Sequence, residues 1–170
     1  MDDPVLPAET SVAPRHPLFA SRSAVLQLSV ADPLGLILVR GDASVAEFGG
    51  ALEFALGLPA PVKPTMMNGV SPAVLCLGPT EWRIACDPKA APGLARRIEA
   101  LTGPWFASVE DVSDAFFVID ITGSHASNIV RKGCGLDLDA GLLAPGRCAR
   151  TRFAGIVATI HPVRNGMSVG

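Results

Sequence analysis

Three histidines are the first residues whose chemistry could define a site, because imidazole binds metals and transfers protons near neutral pH. They are His16 in the N-terminal stretch, His125 at the expected start of a helix and His161 in the C-terminal part. A metal centre needs several histidines, cysteines or carboxylates on one face. Nothing in this spacing groups them, so we predict no metal site and interpret His125 as a solvated or capping residue.

A serine and two aspartates are candidates for hydrolytic or acid–base chemistry. Ser124 lies between Gly123 and His125 and lacks the G-x-S-x-G pattern of a nucleophile elbow, so a role as helix N-cap is favoured. Asp137 and Asp139 are two residues apart in the loop predicted after the third helix. We expect them to act in turns or ion pairs and not as a catalytic pair.

The chain has four cysteines, none of them in a C-x-x-C pair: Cys76, Cys86, Cys134 and Cys148. We predict that all four are reduced thiols and that most are buried. Cys148 lies close in sequence to Arg147, Arg150 and Arg152, whose positive charge could lower the pKa of its thiol. A small apolar residue on a strand is the commoner role, and we predict that role for Cys148.

Glycine-rich cofactor motifs are missing from the sequence. It contains no G-x-G-x-x-G fingerprint and no Walker loop, and residues 133–135, Gly-Cys-Gly, are typical of the end of a helix. Taken residue by residue, the sequence therefore predicts no catalytic, no cofactor-binding and no metal-binding residue in this chain.

The composition of the 170-residue chain is apolar, with 49% hydrophobic residues, 17 glycines and only 18% charged residues. A formal net charge of −2 disfavours nucleic acid as a partner, since that binding depends on neutralising phosphates. The uncharged stretch at residues 64–80 is interrupted by prolines and glycines, so no transmembrane helix is predicted. The acidic, proline-containing N-terminus is unlike a signal peptide, and we expect a soluble cytoplasmic protein whose excess apolar surface contacts a partner.

The elements that must position these residues follow from periodicity and turn signals. We predict a flexible N-terminal arm at residues 1–21 and a single α+β domain at residues 22–170, with antiparallel or mixed sheets and packed helices. Strands are predicted at residues 25–30, 36–39, 63–68, 73–77, 82–86, 105–109, 116–121, 148–153 and 156–160. Helices are predicted at residues 42–56, capped by Asp42, at 87–101, starting at Asp87-Pro88, and at 124–133.

Three parts of the sequence, in this order, resemble a known family. They are Leu77-Gly78-Pro79-Thr80-Glu81-Trp82-Arg83-Ile84, then Asp111-Val112-Ser113 with Thr122-Gly123, Lys132-Gly133-Cys134 and Leu136-Asp137-Leu138, and finally Pro145-Gly146-Arg147-Cys148-Ala149-Arg150-Thr151-Arg152-Phe153. The combination, spanning about residues 24–160, resembles the gamma subunit of heterotetrameric sarcosine oxidase. That subunit is a small relative of the folate-binding domain of the glycine-cleavage aminomethyltransferases.

The resemblance implies an aminomethyltransferase folate-binding-domain-like fold and a non-catalytic subunit with a structural role. In that family the assembled enzyme oxidatively demethylates sarcosine to glycine. The resemblance places FAD, FMN, NAD and tetrahydrofolate on partner subunits and none in this chain. It implies alpha, beta and delta subunits as partners.

The C-terminal part departs from the family pattern. The family continues beyond the last strand with a further strand and a helix, whereas here Ile160 is followed by only ten residues. We therefore expect an uncovered edge or face at the hairpin of residues 148–160, and a homodimer of the isolated chain through that hairpin and the N-terminal arm. The alternatives are a stand-alone folate-binding or aminomethyltransferase-like protein, and an unrelated regulatory or self-associating module of the same fold.

Overall fold

The computed structural model describes residues 25–64, 67–69, 71–137, 144–163 and 166–170; the predicted arm lies outside this part. The described helices are α1 (Ala46–Leu56), α2 (Ala91–Thr102) and α3 (Ala126–Gly133), with 3₁₀ turns at Gly103–Trp105 and Ser113–Ala115. The described strands are β1 (Gln27–Val30), β2 (Gly35–Arg40), β3 (Met67–Asn68), β4 (Ala73–Gly78), β5 (Glu81–Cys86), β6 (Ser108–Asp111), β7 (Ile119–Thr122), β8 (Ala149–Phe153), β9 (Ile156–Val163) and β10 (Gly166–Val169).

The strands form two five-stranded sheets. Sheet A has the strand order β1-β7-β10-β9-β8, and sheet B has the order β3-β4-β5-β2-β6. Every described pairing between these strands is antiparallel. The predicted α+β class, with helices packed on antiparallel sheets, is confirmed.

Every second residue of β2, β4 and β5 is apolar and points to the same side, which gives sheet B one strongly apolar face. Side chains such as Ile37, Val74 and Ile84 point to this face, are fully buried, and pack with Phe48 and Leu52 of α1. Successive residues of a strand face opposite sides, so this one row of side chains joins the sheet to α1 and α2. It forms the larger of the two main cores.

The opposite face of sheet B lies against sheet A. Cys148, which immediately precedes β8, packs against Ala73 and Leu75, and Arg150 contacts Glu81 at 2.7 Å. On the far side of sheet A, α3 covers a second core through Val130. The layers are therefore α1 and α2, sheet B, sheet A and α3.

Two helices begin later than predicted because aspartates form turns ahead of them. The Asp42 carboxylate accepts bonds from the backbone N–H and the hydroxyl of Ser44 at 2.8 and 2.7 Å, and α1 begins only at Ala46. The Asp87 carboxylate accepts from Lys89 N–H at 2.7 Å, and α2 begins only at Ala91. Aspartate favours such turns as strongly as helix caps, so the predicted starts were wrong by about one turn.

Three other local predictions also need correction. The predicted N-cap role of Ser124 is wrong, because His125 precedes α3 and no side chain caps the helix. The strand predicted at residues 63–68 is only two residues long in the described part, at Met67–Asn68. The strands predicted at residues 105–109 and 116–121 begin three residues later, at Ser108 and Ile119, and 3₁₀ turns at Gly103–Trp105 and Ser113–Ala115 precede them.

The C-terminal part departs from the expectation on one side only. The hairpin of residues 148–160 was expected to leave an edge or face uncovered; β10 covers the β9 side by pairing with both β9 and β7, whereas β8 is an edge strand of sheet A. Ala158 and Ile160 are buried in the core under α3. The segment Gly-Met-Ser-Val is too short for periodicity to identify it as a strand, and long-range pairing decides its structure.

Candidate functional site

The structure does not bring the sequence-derived candidates together. Ser124 and His125 are exposed at the start of α3, Asp137 is exposed in the loop after that helix, and His161 is partly buried on β9. His16 and Asp139 lie outside the described residues. Within the described ranges, no group of three or more histidines, cysteines and carboxylates could hold a metal ion. The absence of a metal site in the whole chain remains a prediction.

Cys148 is the candidate whose surroundings are clearest. Its side chain is fully buried between the sheets, and its thiol donates to the backbone oxygen of Cys76 at 3.7 Å. The pKa of the Cys148 thiol is raised to about 11, mainly by burial and also by the nearby Cys76, which together outweigh the lowering effect of Arg147 and Arg83. A thiolate nucleophile is thereby disfavoured, and the packing role predicted for Cys148 is confirmed.

All four cysteines are free thiols, and three of them are buried. We expect Cys134, the partly exposed one, to be the single thiol that reacts quickly with a disulfide reagent in the folded chain at pH 8. The other three should react only on unfolding, because burial raises the pKa of both Cys76 and Cys86 as well. Thiol counting before and after denaturation tests this, and Cys134→Ser should remove the fast phase. Two or more fast thiols would contradict it.

Arg83 is a buried cation that the sequence analysis did not single out. Only 7% of the residue is exposed, and its guanidinium lies 4.0 Å from the centre of the Phe116 ring. Its Nη1 donates to the backbone oxygen of Gly170 at 3.4 Å, while its buried Nε has no partner among the described residues. Burial and the charge of Arg150 lower the pKa of Arg83.

Glu81 and Arg150, whose charges act on Arg83, belong to a network of ion pairs. Glu81 pairs with Arg150 at 2.7 Å and with Arg40 at 3.6 Å. Arg40 in turn contacts Glu110 at 3.4 Å. The network joins sheet B to sheet A through Arg150, which makes it a structural connection, and exposed pairs of this kind stabilise a fold only weakly.

His161 lies on the same inner side of sheet A. Burial lowers its pKa, although a hydrogen bond to Pro162 and the nearby Asp120 act in the opposite direction. Its neighbours Thr159 and Ser168 are both almost completely buried. His161 is therefore a neutral polar residue of the inter-sheet layer at pH 7.

Two surface cavities are candidates for ligand binding. One, of about 630 Å³, lies between the start of α3 and the adjoining ends of β9 and β10, and its described lining contains no titratable side chain. The other, of about 590 Å³, is lined by Pro88 and residues 111–115, including Asp111 and Asp114. Asp111 is engaged locally, since it accepts from the N–H and hydroxyl of Ser113. Neither cavity presents a buried charged side chain that would anchor a cofactor.

Large apolar side chains are exposed at several places on the surface, as the composition predicts. They are Val25, Val30, Leu34, Phe54, Val62, Phe106, Phe117, Ile119, Ile156 and Val157. Contiguous groups of such side chains, unlike scattered single ones, are typical of surfaces that a protein partner covers. In the described part of the chain, no helix combines the length and the apolar character needed to cross a membrane.

Two curated proteins are similar in sequence. A sarcosine oxidase subunit gamma from an Arthrobacter species is 32% identical over 130 residues, which make up 76% of this chain and 62% of that protein. A sarcosine oxidase subunit gamma from Corynebacterium sp. strain U-96 is 29% identical over 130 residues, with the same two shares. The chain thus spans somewhat less than two thirds of the length of these relatives. No protein-family model matches it.

Two solved structures share the fold. A heterotetrameric sarcosine oxidase from Corynebacterium sp. U-96, in complex with pyrrole 2-carboxylate, aligns with a TM-score of 0.77 and 22% identity, covering 89% of this chain and 77% of that chain. A glycine cleavage system aminomethyltransferase T from Bartonella henselae aligns with a TM-score of 0.60 and 14% identity, covering 86% of this chain and 42% of that chain. The fold expected from the three sequence stretches is confirmed.

Proposed function

We propose that this chain, which is similar in sequence to two sarcosine oxidase gamma subunits, is the gamma-type subunit of a heterotetrameric sarcosine oxidase with a structural, non-catalytic role. The observation that carries this proposal is the similarity to two proteins of that name, at 32% and 29% identity over 130 residues. The shared fold supports it independently of residue identity. The partners would be the alpha, beta and delta subunits, in the cytoplasm.

The geometry of the described residues supports a structural role. Ser124, Asp137 and Cys148 lie apart, the Cys148 thiol is protonated at neutral pH, and Arg83 serves the contact between the sheets. FAD, FMN, NAD and tetrahydrofolate would be bound by the partner subunits. This chain would complete the assembly that oxidatively demethylates sarcosine to glycine.

Co-expression with alpha, beta and delta subunits tests the proposal. We expect the chain to co-purify with them in a stoichiometric complex that has sarcosine-dependent oxidase activity. The chain purified alone should be colourless and inactive with sarcosine, because the lining of neither described cavity contains a cationic side chain that could hold a flavin phosphate. Failure to join the complex, or a stoichiometric flavin absorbance in the isolated chain, would contradict the proposal.

The likeness to an aminomethyltransferase keeps one alternative open, a stand-alone folate-binding or aminomethyltransferase-like protein. The cavity beside α3 is large enough for a small ligand, but its described lining offers no carboxylate or other charged group to orient a pterin. Titration calorimetry of the isolated chain with tetrahydrofolate separates the two functions, since the proposed subunit should give no saturable heat.

A further inference from the structure

The turn between β8 and β9 is an exposed apolar projection. Ile156 is 72% exposed and Val157 is 54% exposed, although neighbouring strand residues point to opposite faces. Ala154 and Gly155, which form the turn, are exposed as well and have φ angles of 50° and 88°. This end of the hairpin therefore extends beyond the layers on both sides, and we call residues 154–157 the hairpin tip.

The hairpin tip is held firmly at its base. Ala154 N–H donates to the Gly133 carbonyl at 2.7 Å. The backbones of Cys134 and Phe153 form an isolated antiparallel β-bridge. A Cβ added at Gly133 would lie within 2.7 Å of three atoms of the Phe153 ring. The ring therefore fills the space beside Gly133. A rigid apolar projection loses little conformational entropy on binding and is suited to a matching groove.

Positive charges lie next to the tip. Arg152 is exposed on β8, and Arg131 and Lys132 are exposed in the last turn of α3, which the base of the hairpin contacts through Gly133. Among the described residues of α3 and of positions 134–137, the exposed acidic residue is Asp137. The chain as a whole has a formal net charge of −2, whereas the exposed cations near the hairpin outnumber the acidic side chain described beside them.

We propose that the hairpin tip inserts into an apolar groove of another subunit in the assembled oxidase, and that carboxylates at the rim of that groove face Arg152 and Lys132. This inference rests on the proposed function. The observations that favour a protein groove are the two adjacent apolar side chains on opposite faces, the rigid base and the cations beside them. Apolar anchors surrounded by complementary charge are typical of such interfaces.

The test uses the purified full-length chain and a complex of the alpha, beta and delta subunits, with affinity measured by interferometry. The double variant I156S/V157S should bind at least tenfold more weakly than the wild type. The control F54S/V62S removes two similarly exposed apolar side chains, 69% and 63% exposed, from other parts of the surface, and should bind within about threefold of the wild type. All three chains should unfold at similar temperatures, because the altered side chains are exposed.

A charge-reversed variant tests the rim. R152E should weaken binding at low salt by at least tenfold and should flatten the salt dependence that the wild type shows. Binding of I156S/V157S at wild-type affinity would overturn the hairpin inference while leaving the proposed function intact. Failure of the wild type to bind would overturn both. A wild-type homodimer in sedimentation that I156S/V157S makes monomeric, with subunit binding unchanged, would identify a second copy as the occupant and also overturn it.

Discussion

Replacing Trp82 by alanine should lower the free energy of unfolding by about 3–5 kcal/mol, the range for deleting a large buried aromatic side chain. Trp82 is almost completely buried in the core between sheet B and the helices, with its ring centroid 5.6 Å from that of Phe48. Its indole N–H also donates to the Pro61 carbonyl at 2.8 Å. The substitution leaves a cavity and removes the hydrogen bond that the Pro61 carbonyl accepts. Urea titration followed by circular dichroism measures the loss of free energy of unfolding.

Two further variants separate packing from hydrogen bonding. Trp82→Phe keeps much of the ring but leaves the Pro61 carbonyl without its donor, so a smaller loss of about 1–3 kcal/mol is expected. Trp105→Ala removes the other tryptophan, which is only partly buried, and should cost clearly less than Trp82→Ala. Equal losses for Trp82→Ala and Trp105→Ala would show that the described core does not carry the stability of this layer.

The parts of the fold that follow from short-range signals could be predicted from the sequence. The hairpin of β4 and β5 has an apolar run on each side of Gly78-Pro79-Thr80, and both strands lie within one residue of their predicted positions. Gly57 ends α1 with a φ of 72°, a conformation that glycine adopts without strain. In both cases a few adjacent residues decide the structure, and distant contacts have little influence.

The features that depend on distant contacts could not be predicted. Arg83 lies in a strand that alternates like its neighbours, and only the approach of sheet A buries its guanidinium against Phe116. The hairpin of β8 and β9 was correctly predicted. Its exposed apolar surface was expected to result from the lack of the further strand and helix that the family has after this hairpin. The structure instead leaves Ile156 and Val157 exposed because the tip extends beyond the layers. A sequence pattern shows which face is apolar and does not show what covers it.

The buried polar residues and the exposed apolar residues of this chain lie in different places. Arg83 lies in the layer between the sheets and connects them through its hydrogen bond to Gly170, and His161 is partly buried on the inner side of sheet A. The exposed large apolar side chains lie outside this layer, at the hairpin tip and elsewhere on the surface. This arrangement fits a subunit whose interior provides stability and whose surface provides the function.

Adding a single methyl group at Gly166 should destabilise the fold by about 3 kcal/mol, at the upper end of the usual cost of overpacking. A Cβ at this position would lie 2.1 Å from the backbone oxygen of Ile121 and 2.8 Å from the Cα of Thr122. Both are backbone atoms of β7, which cannot rotate away as a side chain could. Gly166→Ala must therefore separate β10 from β7 at the centre of sheet A.

The matched control is Gly78→Ala, because a Cβ at Gly78 would meet no atom within 4 Å. That variant should change the free energy of unfolding by no more than about 0.5 kcal/mol, as is usual for open surface positions. In Gly166→Ala, amide hydrogen exchange should also accelerate at Ile119–Thr122, where β7 loses its partner, and remain unchanged in β4 and β5. A stability equal to that of Gly78→Ala, with unchanged exchange in β7, would show that β10 does not lie between β7 and β9 as described.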